Sequence, residues 1–342
     1  MALATVAAFV LTRTLIPRVA PHLRDAGLSG ADLNKGSKGK TPIPEALGLV
    51  SGFVFLMAAT VLIGLVPRDE KDVREGALAG LVSVSFMLLL GFTDDVLNLR
   101  WRYKLVLPIF AALPIVSIYS GSTCIPCPSF LRKFLSGVFV GDIGAFYNIG
   151  LLILALFAGN SINIYAGING IEVGQTIVAG AAVAVRALMK REKAPVLLIL
   201  PFLGASLGLF SHNRYPARCF VGDTFTYSAG MVLMAAATVG GFPLELLFYM
   251  LPELLNFLIS LPQLIGIVPC PRHRLPHFNE ASGLLEAVPE HFTLINFFLR
   301  LRGPLREDRL CYELLIIQAV WEVVILLVAS RGWLDWLHPE NC

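Results

Sequence analysis

Charge is scarce in this sequence. Of its 342 residues, 15% are Asp, Glu, Lys or Arg, where ordinary soluble domains carry roughly 25%. Apolar residues make up 56% and the mean hydropathy is +0.72, so a water-soluble domain of this length would have too little polar surface. The net charge of +3 is too weak to argue for nucleic acid as a partner. Cysteine is thin as well. Cys124 and Cys127 form one CxxC, and no second pair sits nearby to complete a zinc site, which leaves unpaired or locally bridged loop cysteines as the plain reading. No N-x-S/T sequon occurs, so no N-glycan is expected. The first apolar run, Ala2 to Leu11, has no basic residue before it and no clear small-residue cleavage site, which argues against a signal peptide. Arg13 follows early for a span of about 20 residues, so the first span is expected to be short or incomplete at its N-terminus. Inverted internal repeats of the kind many transporters show are missing too.

What is present is long apolar runs, the signature of membrane spans. They predict an all-α, polytopic membrane protein with about ten transmembrane helices, near 1–20, 46–66, 76–92, 104–120, 146–162, 173–189, 194–211, 226–240, 243–267 and 311–331. The whole chain, 1–342, reads as a single transmembrane catalytic domain with a loop at about 268–310. The polar connections 21–45, 93–103, 163–172, 212–225 and 268–310 follow spans 1, 3, 5, 7 and 9, which places all five on one face of the membrane. That face carries 17 of the 27 basic residues, and positive-inside bias puts it in the cytosol. Arg186, Lys190, Arg191 and Lys193 run against the rule.

Four polar segments carry the chemistry. Gly91-Phe92-Thr93-Asp94-Asp95-Val96-Leu97-Asn98 ends span 3. If the helix continues, both carboxylates share a face with Asn98, and carboxylates at a membrane boundary are costly unless paired with cations or metal. Asn160 to Gly170 holds Asn160, Asn163 and Asn169 with Gly167 and Gly170: amides offer neutral oxygen ligands and donors, and glycine allows close backbone approach. Phe220-Val221-Gly222-Asp223-Thr224 sets one carboxylate beside a flexible glycine, which suits a hard cation such as magnesium. Pro269 to Pro276 stiffens Arg272-His273-Arg274 between prolines, and arginine's fork matches phosphate and carbonyl oxygens. Trp101-Arg102-Tyr103-Lys104 adds cations, and Asp32-Leu33-Asn34-Lys35, with Pro44-Glu45 downstream, lies in the first polar connection. Carboxylates, neutral oxygens and cations on one face, at lipid depth, fit a pyrophosphate and one divalent ion, because phosphoryl transfer needs mainly positioning and charge neutralisation.

Together, Asp32 to Lys35, Gly91 to Lys104, Asn160 to Gln175, Phe220 to Thr224 and Pro269 to Pro276 resemble the polyprenyl-phosphate N-acetylhexosamine-1-phosphate transferase superfamily, in the family's order and across nearly the whole chain. The Pro-Arg-His-Arg segment is the most specific; the bacterial peptidoglycan members carry a histidine-rich motif there instead, which points to the N-acetylglucosamine, dolichol branch. The resemblance implies a glycosyl-1-phosphate transferase of the endoplasmic reticulum membrane with its active site facing the cytosol. Its substrates would be UDP-N-acetylglucosamine and dolichyl phosphate, its products UMP and dolichyl-pyrophosphate-N-acetylglucosamine, in the first step of N-glycan precursor assembly. It implies Mg2+, with Mn2+ as an alternative ion, contact with membrane lipid, and a homodimer as one candidate state. By the same resemblance, Asn163 and Asp223 match the magnesium ligands, Lys104 and Arg272 phosphate-contacting cations, and Arg274 with His273 the sugar site. Asn169 and Phe220, with Leu33 nearby, match the uridine site. Asp94, Asp95 and Asn98, with Lys104, match the catalytic-centre cluster, and Glu45 is a further substrate-site candidate. The rival readings are a nucleotide-sugar or lipid-linked-sugar transporter, which would place charge near mid-membrane as only Glu245 and Glu253 do here, and a transferase for another UDP-N-acetylhexosamine.

Overall fold

The computed structural model describes residues 1–124, 142–271, 273–334 and 337. In chain order its helices are α1 (Ala2–Asp25), α2 (Gly48–Gly64), α3 (Lys71–Leu97), α4 (Trp101–Ser117), α5 (Ala145–Ile164), α6 (Ile171–Met189), α7 (Lys193–Asn213), α8 (Gly222–Val239), α9 (Leu246–Tyr249), α10 (Leu251–Leu264), α11 (Leu294–Arg302) and α12 (Glu307–Ser330). Each of the ten expected stretches falls on a helix, the ninth on the pair formed by α10 and the short helical segment before it. Among the described residues, six helices can cross a membrane by length and composition, α1, α3, α5, α6, α7 and α12, and seven spans result if the bent pair counts as one. That pair, Pro243–Tyr249 and Leu251–Leu264, meets at 76°. Pro252 lies just past the break; it lacks the N–H that would continue the helical ladder and its ring crowds the preceding turn.

The core forms around α8. Every residue from Thr224 to Thr238 is buried, as expected for a helix without a polar face, and α3, α5, α2 and α7 pack around it. The contact with α3 is close because residue 91 is glycine: a Cβ there would lie 2.6 Å from Thr224 Cα. On the outside, α1 packs against α7 and α2, and α12 against α6.

Three expectations are corrected. The first span is not short: α1 has 24 residues and runs past Arg13, whose guanidinium lies over the Phe9 ring, 5.9 Å from its centroid. A long cationic side chain can reach a polar boundary while its helix continues. The chain is not purely α: β1 (Ser29–Gly30) pairs with β2 (Ile43–Pro44), and β3 (His277–Asn279) with β4 (Leu284–Glu286). The 268–310 segment is therefore more than a loop. It contains the β3–β4 hairpin and α11, and Leu285, Ile295, Leu299 and Leu305 join Tyr165, Ile168, Leu310 and Leu314 in an apolar cluster separate from the main core. The condition set for Asn98 is not met either: the α3 helix ends at Leu97. Asn98 is left-handed (φ 49°) and its N–H donates to the Asp94 carbonyl at 2.8 Å, closing the helix.

Two of the four residues in the basic cluster that runs against the positive-inside rule are paired with carboxylates. Arg186 is buried, with Nε and Nη2 donating to Glu245 at 2.7 and 2.6 Å, and Lys193 pairs with Glu70 at 2.7 Å. Cys124 is disulfide-bonded; Cys127 lies outside the described residues.

Candidate active site

The five polar connections meet at one end of the bundle. The meeting begins with Asp95, near the end of α3. Its Oδ1 accepts the Asp223 backbone N–H at 2.7 Å and its Oδ2 the Thr224 N–H at 3.0 Å, and the Thr224 hydroxyl also donates to Oδ2. A carboxylate at a helix N-terminus satisfies orphan donors and meets the positive end of the dipole. Gly222 makes room for it: its φ is +72°, and a Cβ there would fall on the Asp95 carboxylate. Asp95 thus fixes the first turn of α8, which carries Asp223.

Asp94, one residue earlier, is buried and faces a different set of donors. Its Oδ1 accepts the Leu99 N–H at 2.9 Å; its Oδ2 accepts the Tyr227 hydroxyl at 3.0 Å and lies 2.7 Å from Lys104 Nζ. Lys104, from the first turn of α4, also reaches Asp223 Oδ2 at 3.3 Å. Asp223 Oδ1 accepts from Asn163 Nδ2 at 2.6 Å. One ammonium therefore sits among Asp94 and Asp223, with Asp95 beside them, an arrangement short of positive charge. Asn163 turns its NH2 to Asp223 here; with the amide turned over, its oxygen would join the Asp223 carboxylate as a pair of hard donors suited to a hard cation. Among the described residues no group of three or more His, Cys, Asp or Glu is arranged to hold a metal. The donor set thus suits an ion that completes its shell with water and substrate phosphate, as magnesium does. Asn98 is exposed at the helix end, and its side chain makes no hydrogen bond to these carboxylates among the described residues.

A second cluster lies beside the first. Asn169 is buried; its N–H donates to Glu307 Oε1 at 2.7 Å, and its Oδ1 accepts from Lys35 Nζ at 3.2 Å and from the Ala217 N–H at 3.0 Å. Lys35 also pairs with Asp32 at 3.0 Å and with Glu307, above the Tyr215 ring at 4.7 Å. Asn34 Nδ2 donates to the Gly167 carbonyl at 2.6 Å. Phe220 bridges the first connection and α2, its N–H donating to the Pro44 carbonyl at 2.8 Å and its carbonyl accepting from Leu47 at 3.1 Å. Leu33 is exposed. Glu45, half-buried, has its carboxyl held above the usual range, first by burial and then by the Asp95 charge.

The 268–310 segment contributes Arg274. The first turns of α10 and its far end grip this segment: Gln263 Nε2 donates to the Pro269 and Glu290 carbonyls at 3.0 and 2.8 Å, and Asn256 Oδ1 accepts the Leu294 N–H at 2.8 Å. The Arg274 carbonyl accepts from Asn296 Nδ2 at 3.2 Å, while its guanidinium makes one bond at 3.4 Å, to the Phe292 carbonyl. No carboxylate pairs with it among the described residues. Burial pulls its pKa below the ordinary arginine value, the mark of a cation poorly served by solvent. His273 is exposed; Arg272 lies outside the described residues.

An apolar cavity of about 1030 Å³ runs between α5 and α10, from Phe146 to Ile164 along α5, with Phe257 and Leu261 facing from α10. Eighteen helical steps make about 27 Å, close to a hydrocarbon thickness. Its lining includes Asn160, Ser161, Leu105 and Ile164, the last two adjacent in the chain to Lys104 and Asn163. Sequence reasoning missed Tyr227 and Glu307, which make several of these bonds. Glu307, a carboxylate opening the last apolar helix, was the available signal.

The model of glycosyl transferase family 4 matches residues 77–241. The UDP-N-acetylglucosamine–dolichyl-phosphate N-acetylglucosaminephosphotransferase of Dictyostelium discoideum is 42% identical, covering 92% of this chain and 85% of its own length. The protein of the same name from Saccharomyces cerevisiae is 33% identical, over 94% of this chain and 89% of its own. The phospho-N-acetylmuramoyl-pentapeptide-transferase of Streptococcus thermophilus is 29% identical over 68% of this chain and 69% of its own. At such similarity over nearly its whole length, the chain belongs to the family of UDP-N-acetylglucosamine–dolichyl-phosphate N-acetylglucosaminephosphotransferases.

Proposed function

We propose that the chain transfers N-acetylglucosamine 1-phosphate from UDP-N-acetylglucosamine to dolichyl phosphate, releasing UMP and leaving a pyrophosphate-linked sugar on the lipid. The observation that carries this reading is the apolar cavity lined by Leu105 and Ile164, the chain neighbours of Lys104 and Asn163. A long isoprenoid needs such a channel, and its phosphate needs a cation at the end of it.

The geometry supports the roles at the pyrophosphate, and those at the sugar and the uridine rest on the family resemblance. Lys104 orients the phosphates from its seat between Asp94 and Asp223. Asp223 and Asn163 would hold Mg2+, which supplies charge neutralisation at the pyrophosphate. A lipid phosphate oxygen attacks the sugar-linked phosphorus and UMP departs. With a second phosphate pKa near about 6, the nucleophile is already largely dianionic at neutral pH, so no strong general base is required. Asp94 then serves by holding Lys104 and Tyr227. Arg274, without an anionic partner among the described residues, reads the N-acetyl group together with His273, and Arg272 serves the pyrophosphate. Phe220, Leu33 and Asn169 take the uridine, and Glu45 lies at the margin of the site.

The bundle reads as ten spans in the endoplasmic reticulum membrane with the site facing the cytosol, on the strength of basic residues concentrated at that end. A cysteine placed at Ala281, exposed on the β3–β4 hairpin, should react with an impermeant thiol reagent from the cytosolic side; reaction from the lumen alone would reverse the orientation. The function is tested by incubating purified chain with sugar-labelled UDP-N-acetylglucosamine and dolichyl phosphate. Label should enter the lipid only with magnesium present, and Asp223→Ala should abolish it. Failure of the wild type to label the lipid would refute the reading.

A further inference from the structure

The cluster around Asn169 holds more than a binding residue. A lysine ammonium and a backbone N–H have no acceptor to offer, yet both reach the same side-chain atom of Asn169, at 3.2 and 3.0 Å. That atom must be the amide oxygen, so the chemistry of the partners fixes which way the amide points. Its NH2 group makes no hydrogen bond among the described residues, although the residue is only 6% exposed.

Lys35 and Glu307 hold this arrangement. The Lys35 ammonium has three protons and three oxygen partners, on Asp32, Glu307 and Asn169, so it has no donor left for a ligand phosphate. Glu307 is 4% exposed. A carboxylate so buried is costly unless charge and hydrogen bonds compensate it, and here one oxygen takes the Asn169 N–H while the other takes Lys35. One side chain, arriving at the start of α12, therefore fixes both the backbone of Asn169 and, through Lys35, its amide.

We infer that Lys35 and Glu307 are positioning residues that turn Asn169 into a donor-only reader of the nucleotide base, selecting a pyrimidine with a carbonyl at the contact over one with an amino group. This rests on the placement of uridine at Asn169 under the proposed function. Uracil offers a 4-carbonyl acceptor where cytosine offers an amino donor. An amide free to rotate could serve either, by presenting oxygen or nitrogen. An amide whose oxygen is already committed to Lys35 and Ala217 can serve only the acceptor, and a donor facing a donor is rejected.

The test is equilibrium binding of UMP and CMP to the full chain in detergent, by calorimetric titration, which needs no turnover. Wild type should prefer UMP by about tenfold or more, the size of one mismatched buried donor. Glu307→Gln and Lys35→Met should each bring the ratio to within about threefold, mainly by weakening UMP. Should Glu307→Gln fail to fold, Lys35→Met alone decides. A merely structural role for the pair lowers the melting temperature and weakens both nucleotides alike; a wild-type ratio retained in the folded variants overturns the inference, as does a wild type that binds the two equally. Selective binding of UMP without transfer of sugar phosphate would overturn the proposed reaction alone.

Discussion

Replacing Asp95 by asparagine separates two roles that its neighbour Asp94 makes easy to confuse. Asp95 accepts the Asp223 N–H, the Thr224 N–H and the Thr224 hydroxyl with its two oxygens. Asparagine has one oxygen and turns an NH2 toward donors that need an acceptor. At least one backbone N–H of the α8 first turn then loses its partner in a site mostly closed to water. Lost caps cost about 0.5–2 kcal/mol, and a buried unsatisfied donor about 1–3 kcal/mol. A combined loss of about 2 kcal/mol is about thirtyfold in an equilibrium constant. The turn that loosens is the one that aims Asp223 at Lys104 and Asn163, so the loss should fall on the metal site. Asp95→Asn should raise the magnesium concentration for half-maximal transfer by about tenfold to a hundredfold, and much of the maximal rate should return at saturating magnesium. The assay is transfer rate against free magnesium for wild type and variant. A variant with the wild-type magnesium midpoint and no rate at saturation would refute the capping argument and give Asp95 a direct part in the chemistry.

Two further outcomes follow from the same site. Arg274→Ala should lose activity together with most of the preference for UDP-N-acetylglucosamine over UDP-glucose, because a buried donor left facing no acetamido carbonyl costs about 1–3 kcal/mol; steady-state kinetics with both donors decide, and an unchanged preference moves the acetyl contact to His273. Glu45→Gln should stabilise the protein at neutral pH. Burial, then Asp95, raises the Glu45 pKa above its ordinary 4.5, so the folded state holds that proton more tightly; the stability it lends is full below 4.5 and lost as pH rises through the folded pKa. Melting of wild type and variant should therefore converge as pH falls toward that value, and a gap that widens on acidification would contradict the assignment.

Much of this was legible in the sequence, and for one reason. Lipid punishes exposed polar backbone so heavily that a span declares itself as an apolar run; the expected stretches fall on helices, of which six, or seven with the bent pair, are long and apolar enough to cross a membrane among the described residues. Parity of the expected spans put the polar connections on one face, and their convergence is read from their hydrogen bonds. What was not legible needed neighbours distant in the chain. Asp94 and Asp95 are adjacent and chemically alike, yet one faces Lys104 and Tyr227 and the other the N-terminus of α8, a difference that no local spacing contains. Glu307 stands 272 residues from Lys35 and reads, in isolation, as an ordinary first-turn acid. Whether helix α3 continues through Asn98 was open in the sequence, because an asparagine tolerates the left-handed conformation that ends a helix. The β3–β4 hairpin escaped because its strands are three residues each, too short to show alternation.

The central claim is that phosphorus, and not the sugar alone, changes hands at Lys104 and Asp223. It is tested most directly by giving the purified protein UDP-N-acetylglucosamine radiolabelled at the β-phosphorus, with dolichyl phosphate and magnesium, and following the label. The account requires the label to appear in the lipid, in equal amount to the sugar, with unlabelled UMP in solution. Label retained in soluble UDP while sugar reaches the lipid, or sugar nucleotide unconsumed throughout, would contradict it.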